Sequence, residues 1–306
     1  MQKKKIMMVF GTRPEAIKMA PLYHGLKALP GNFDTLLCVT AQHRQMLDQV
    51  LRVFEIRPDI DLDLMTAEQD LFDVTAAVLL GMRDVLRTHK PDALLVHGDT
   101  STTLAAAMAG FYLGVPVGHV EAGLRTHNLQ APFPEELNRQ VASKVAQWHF
   151  APTDFSRQNL LAERVPKASI TVTGNTVIDA LFWVLSRIDA HAQRRDAIQA
   201  FLNEQLHFDW QRQRFVLITG HRRENFGDGF LQICHALQEL AARYPAVQFV
   251  YPVHLNPNVR QPVNTILSAV PNVHLIAPLD YEPFVYLLKH SYFVLTDSGG
   301  IQEEAP

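Results

Sequence analysis

At 306 residues, 47% hydrophobic and 19% charged, the chain is long enough for two separately buried cores and has an ordinary globular composition. A net charge of −3 gives no basic face for a nucleic acid, and no apolar run approaches the roughly 18 residues that cross a bilayer. Only Cys38 and Cys234 are present, far apart and in apolar surroundings. They exclude a disulfide framework and a thiolate zinc site, and they place the chain in a reducing, cytoplasmic setting.

KIMMVFG follows a short basic start. Its apolar run is only about six residues and flows into GTRPEA, so it reads as a first β-strand and not a signal peptide. A helix over residues 14–29 is entered through Gly11 and a proline near its first position. TLLCVTA is a strand, and helices follow over 44–54 and 70–89. ALLVHGD and VPVGHVEAG are strands joined by the small-residue helix STTLAAAMAGFYLG, and WHFAPT and SITVTGN close the series. Alternating strands and helices imply a parallel sheet with helices on both faces.

After Asp179 a charged, Gln-rich helical region runs to about residue 206. RFVLITG then opens a second series: a helix over 229–243, the strands VQFVYPV and VHLIAPL, a helix over 283–290, and YFVLTDSGG. The expected organisation is an α/β protein of two lobes, residues 1–178 and 179–306, with a ligand in the cleft between them. IQEEAP begins a helix that stops after about one turn, and the second sheet has fewer strands than the first. The second lobe therefore reads as truncated.

The chemistry concentrates at strand ends. ALLVHGD and VPVGHVEAG end in Asp99 and Glu121. In a parallel β–α–β unit both acids leave one edge of the sheet, where open α/β sheets bind ligands. APFPEELNRQ follows directly, with Pro134 at a first helical position and Glu135 and Glu136 behind it. Those acids either compensate a helix dipole or add a third carboxylate to the same edge, raising at least one pKa for acid–base work. In GTRPEAIK, Arg13 and Lys18 surround a helix N-terminus and either contact phosphate or are a solvated cation pair. No GxGxxG occurs, which removes a nicotinamide or flavin cofactor. In LITGHRREN, His221 follows the first strand of the second lobe, where it either donates to a phosphate or a leaving oxygen or is an ordinary loop histidine. In DSGGIQEE, Ser298, Gly299 and Gly300 either make a structural turn or let phosphate oxygens approach the backbone, and Glu303 or Glu304 either compensates the helix start or reaches ribose hydroxyls. No His, Asp or Glu spacing resembles a metal site.

Nine segments in order, GTRPEAIKMAP, TAQHRQMLDQVL, HGDTSTT, PVGHVEAGLRT, PFPEELNR, GNTVIDAL, TGHRREN, YPVHLNPNVR and LTDSGGIQEEAP, closely resemble the bacterial non-hydrolysing UDP-N-acetylglucosamine 2-epimerases. The resemblance is collinear from Lys5 to Pro306. It implies two Rossmann-like lobes with parallel sheets facing across a cleft (the GT-B type), a homodimer, and no cofactor. It also implies interconversion of UDP-GlcNAc and UDP-ManNAc, by anti elimination of UDP to a 2-acetamidoglucal and re-addition with the proton delivered to the other face of C2. Carried over by position, Asp99, Glu121 and Glu135 are the acid–base carboxylates, and His221 assists UDP departure. Arg13 and Lys18 lie at the nucleotide or its phosphates, as do Ser298, Gly299 and Gly300. Glu304 holds the ribose, and the segment from Leu279 to Phe284 frames the uracil, although Leu279 stands where a relative has Gln. Gln42, His43 and Glu136 match parts of a second, activating UDP-GlcNAc site. Members of the family continue beyond this length. Two other readings are a glycosyltransferase or hydrolysing epimerase on the same fold, and a catalytically silent UDP-sugar binding module.

Overall fold

A computed structural model describes residues 3–40, 44–64, 68–220 and 227–305. The chain divides into two compact units, Met1–Ala180 and Leu181–Pro306.

The first unit alternates β1 (Lys4–Phe10), α1 (Arg13–Lys27), β2 (Phe33–Val39), α2 (Arg44–Val53), β3 (Ile60–Asp61), α3 (Leu71–His89) and β4 (Ala93–His97). It continues through α4 (Ser101–Tyr112), β5 (Val117–Val120), α5 (Glu135–Val145), β6 (Trp148–Ala151), α6 (Asp154–Ala162) and β7 (Ile170–Val172) into α7 (Thr176–Ala190). The strands form one sheet in the order β3-β2-β1-β4-β5-β6-β7, and every pairing is parallel. The order reverses between β1 and β4, the switch point at which a doubly wound sheet opens a crevice at its carboxyl edge.

The small residues of α4 have a packing reason. Ala105, Ala106, Ala107 and Ala109 are buried with Val78, Met82 and Val85 of α3 and with Met7, Leu94 and Val96 of the sheet. A Cβ on Gly110 would come within 2.8 Å of Val117 Cγ2, so the helix lies almost on the strand. That approach seats the last turn of α4 on β5, while its start, beside the loop carrying Asp99, is capped by Thr100 Oγ1 accepting from Thr103 N–H at 3.1 Å.

The second unit holds α8 (Ala192–Gln205), β8 (Phe215–Thr219), α9 (Asp228–Arg243), β9 (Gln248–Pro252), α10 (Pro257–Leu267), β10 (Val273–Ile276), α11 (Tyr281–His290), β11 (Phe293–Thr296) and α12 (Gly299–Glu304). Its described strands are parallel, in the order β10-β9-β8-β11. Phe230, Cys234, Leu237 and Ala241 of α9 pack with Val216, Ile218, Phe249 and Tyr251 of the sheet and with Val259, Val263 and Leu267 of α10.

Several elements differ from the sequence reading. The single helical region expected after Asp179 is two helices, because His191 takes an extended conformation (φ −118°, ψ 98°) as the cap of α8. No glycine or proline marks that break. Helix α10, which carries Pro257 and Pro262, has no counterpart in the sequence reading. It forms because Val259, Val263 and Leu267 recur at helical spacing and are buried. Helix α6 likewise has no counterpart in the sequence reading. It is capped by Thr153 and buries Ser156 and Asn159 beside Leu160, a mixture without clear apolar periodicity. Pro134 caps α5 and is not its first residue.

Candidate active site

The register His97↔Val120 places the ends of β4 and β5 side by side. Gly98 N–H donates to the Val120 carbonyl at 2.9 Å, so Asp99 and Glu121 leave the same edge. Gly98 takes φ +67°, where only glycine is unstrained, and a Cβ there would lie 3.6 Å from Glu121 Oε1. Glu121 itself sits at φ 62°. A non-glycine residue in the left-handed region costs free energy that the surrounding structure must offset, and such residues cluster at working sites.

Asp99 accepts from Arg139 Nη2 at 2.8 Å with 26% of its side chain exposed. Burial pushes its carboxyl up to about 6. Arg139 opposes that shift, while Glu121, Glu135 and Glu15 reinforce it. Glu121 moves the other way. Burial would raise it, but His97 and Lys18 outweigh burial, and Lys18 Nζ donates directly to its Oε2. Burial lowers His97 to about 4, so its imidazole is neutral at pH 7 and Lys18 is then the cation that holds Glu121 down. Two neighbouring carboxyls are thus driven apart, one ionised and one able to carry a proton near neutrality. Such a pair can serve as acceptor and donor.

Glu135 is half-buried in the first turn of α5. Its Oε2 is buried without a hydrogen-bond partner among the described residues, and its charge is felt at Asp99. Glu136, fully buried, accepts from Thr126 N–H at 3.0 Å, His127 N–H at 3.2 Å and Gln140 Nε2 at 2.9 Å. Its carboxylate clamps the loop after β5. Arg13 opens α1, and its side chain makes no hydrogen bond or ion pair among the described residues. His221, Gln42 and His43 lie outside the described residues.

Three further residues complete this edge and were not singled out from sequence. Glu15, only 2% exposed, accepts from Gly11 N–H at 3.1 Å, Thr12 N–H at 2.8 Å and Thr12 Oγ1 at 2.7 Å. It also accepts from Thr100 Oγ1 at 2.7 Å and Thr103 Oγ1 at 3.3 Å. It therefore stitches the loop after β1 to the loop after β4 across the switch point. Burial raises its pKa against those bonds. The pattern Thr-x-x-Glu at Thr12 and Glu15 is a capping box and was the available signal. Arg139 pairs with Asp99 one helical turn beyond Glu135, and His97 approaches Glu121 Oε2 at 3.7 Å.

In the second unit, Ser298 caps α12, which Gly299 and Gly300 open. Ser298 N–H donates to Thr296 Oγ1 at 2.9 Å, and Thr219 Oγ1 donates to the same atom at 2.6 Å, joining the ends of β8 and β11. Leu279 lies half-buried in the loop before α11, and Phe284 half-buried in the first turn of α11. A hollow of about 600 Å³ runs along β11, lined by Phe182, Leu185, Val285, Leu288 and Val294 among others. Of the residues expected at the nucleotide, Glu304 alone lines it, so its apolar wall is distinct from the Ser298 loop. Among the described residues no helix is long and apolar enough to cross a membrane, and no group of three His, Cys, Asp or Glu side chains could hold a metal ion.

A family model described as UDP-N-acetylglucosamine 2-epimerase matches residues 26–306. The UDP-N-acetylglucosamine 2-epimerase of Yersinia pestis is 59% identical over 302 residues, covering 99% of this chain and 79% of that protein. The corresponding protein of Salmonella typhimurium is 57% identical with the same coverage. The crystal structure of UDP-GlcNAc 2-epimerase from Neisseria meningitidis bound to UDP-GlcNAc superimposes with a TM-score of 0.87 at 52% identity, over 99% of this chain and 80% of that one. The chain thus spans about four-fifths of the length of these relatives.

Proposed function

The chain belongs to the UDP-N-acetylglucosamine 2-epimerase family, and on that premise we propose that it interconverts UDP-GlcNAc and UDP-ManNAc through the carboxylates at the edge of β4 and β5. One carboxylate removes the C2 proton while the C1–O bond breaks and UDP departs, leaving a 2-acetamidoglucal. UDP then adds back at C1 as a proton reaches the other face of C2. Atoms and charge balance without a redox step. The observation that carries the reading is the opposed tuning of Asp99 and Glu121 on one strand edge, with the unpartnered Oε2 of Glu135 beside them.

Arg13 and Lys18 are assigned to the nucleotide or its phosphates, and His221 to UDP departure. In the second unit Ser298, Gly299 and Gly300 take the phosphates, Glu304 the ribose, and Leu279 and Phe284 the uracil. Under this assignment residues 1–178 carry the acid–base groups and 179–306 the UDP-binding groups. Gln42, His43 and Glu136 are assigned to a second UDP-GlcNAc site. Glu136 acts there through the loop it clamps, since its carboxylate already accepts three hydrogen bonds.

A homodimer acting in the cytoplasm belongs to the same reading. Support for the dimer comes from exposed apolar side chains on two adjoining helices, Phe72 and Leu80 on α3 and Phe111 and Tyr112 on α4. Product analysis tests the function. UDP-GlcNAc incubated with the chain should give UDP-ManNAc, while free sugar plus UDP, or transfer to an acceptor, would show a hydrolysing epimerase or a glycosyltransferase instead. Calorimetric UDP binding with zero turnover would show a binding module.

A further inference from the structure

His97 ends β4 with its side chain only 4% exposed. Neither ring nitrogen has a hydrogen-bond partner among the described residues. A neutral imidazole always carries one N–H and one lone pair, and leaving both orphaned in a buried site is costly. The facing polar atom is Glu121 Oε2, 3.7 Å from Nε2 and just beyond hydrogen-bond reach. That oxygen already accepts from Lys18 Nζ. Glu121 Oε2 is therefore held by a cation and faced by an imidazole with an unused donor.

A carboxylate that must accept a proton from carbon is a poor base while an ammonium is attached to it. Lys18 is also the group assigned above to the substrate's phosphates, and this inference rests on that reading. We propose that His97 is a positioning residue for Glu121: its Nε2–H takes up Oε2 as Lys18 is drawn to the diphosphate. The carboxylate then keeps its place without a cation on it. Burial lowers the His97 pKa to about 4, so the ring stays a neutral donor across the working range and does not compete for the proton.

The other groups facing this pair are accounted for. His119 on β5 acts electrostatically on Glu121 and is itself acted on by His97, but its Nε2 is engaged by the Gly98 carbonyl at 2.7 Å, and burial lowers its pKa to about 3. Asp99 is paired with Arg139, and Glu15 and Glu135 act on Asp99.

The test compares His97→Met, which keeps bulk and loses the donor, with His97→Gln, whose amide can reach where Nε2 lies. Both are judged against their own thermal melts. Met should lower kcat by at least about tenfold, with KM for UDP-GlcNAc held within about twofold, and should move the acidic limb of the kcat–pH profile. Gln should restore kcat to within about threefold of wild type. Wild-type kcat and pH profile in the Met variant, or a folded Gln variant no better than Met, would overturn the proposal. A second arm needs no turnover. Long-range 1H–15N NMR of the wild-type chain titrated with UDP should show His97 neutral and protonated on Nε2, with its Nε2 resonance shifting as UDP binds. A ring protonated on Nδ1 with and without UDP would also overturn it. A wild-type chain that makes no UDP-ManNAc counts against the proposed function, while the NMR arm still decides the His97 contact.

Discussion

Replacing Asp99 with Asn should make the chain more stable and nearly inactive at once. The carboxyl titrates near 6 when folded against a usual 3.8, and a gap of about 2 pH units is worth about 3 kcal/mol. With 26% of the side chain exposed, solvent screens part of this, leaving about 1–2 kcal/mol. The sign follows from proton linkage. The folded state binds this proton more tightly than the unfolded state, so Asp99's contribution is fully present below pH 3.8 and is lost as pH rises through about 6. The amide never ionises, and its oxygen can still accept from Arg139. The variant should therefore melt about 2–8 °C above wild type at pH 7.5, and the two should converge near pH 4. Turnover should fall by at least about a hundredfold, the usual range for losing a general acid or base, with UDP binding within a few-fold. Scanning fluorimetry from pH 4 to 8, with NMR turnover, measures both. A variant less stable than wild type at pH 7.5, or a difference that ignores pH, would refute the burial argument.

Two further perturbations probe the scaffold. Gly123→Ala would set a Cβ 2.3 Å from the Ser156 carbonyl oxygen at φ +93°. Urea melts should show a loss of at least about 3 kcal/mol, and a loss under 1 would mean that the loop after β5 does not pass this close. Glu15→Ala strips the acceptor from the Gly11 and Thr12 amides and from three threonine hydroxyls. It should cost about 2–4 kcal/mol, and Glu15→Gln should cost less than half as much. Equal urea midpoints for wild type and the Ala variant would show that the stitch across the switch point is idle.

The strand–helix–strand pattern made the Asp99 and Glu121 edge legible, because each acid directly follows an apolar run and β4 and β5 pair in parallel register. The second unit's core helices were less legible where prolines interrupt α10. Glu15, His97 and Arg139 were hidden for a shared reason. Each looks ordinary in its own segment, a capping acid, a strand-end histidine and a helix cation. Each acquires its role from a partner far away in sequence or on another element: Thr100 for Glu15, Glu121 for His97, and Asp99 for Arg139. Periodicity reports which face of an element is buried, and it does not report which buried polar group another element brings to it.

Proton traffic at C2 is the chemistry on which every residue assignment depends. With UDP-GlcNAc and the wild-type chain in D2O, NMR should find UDP-ManNAc carrying deuterium at C2. UDP-ManNAc that retains its original C2 hydrogen would contradict removal and redelivery of that proton by exchanging carboxylates at this strand edge.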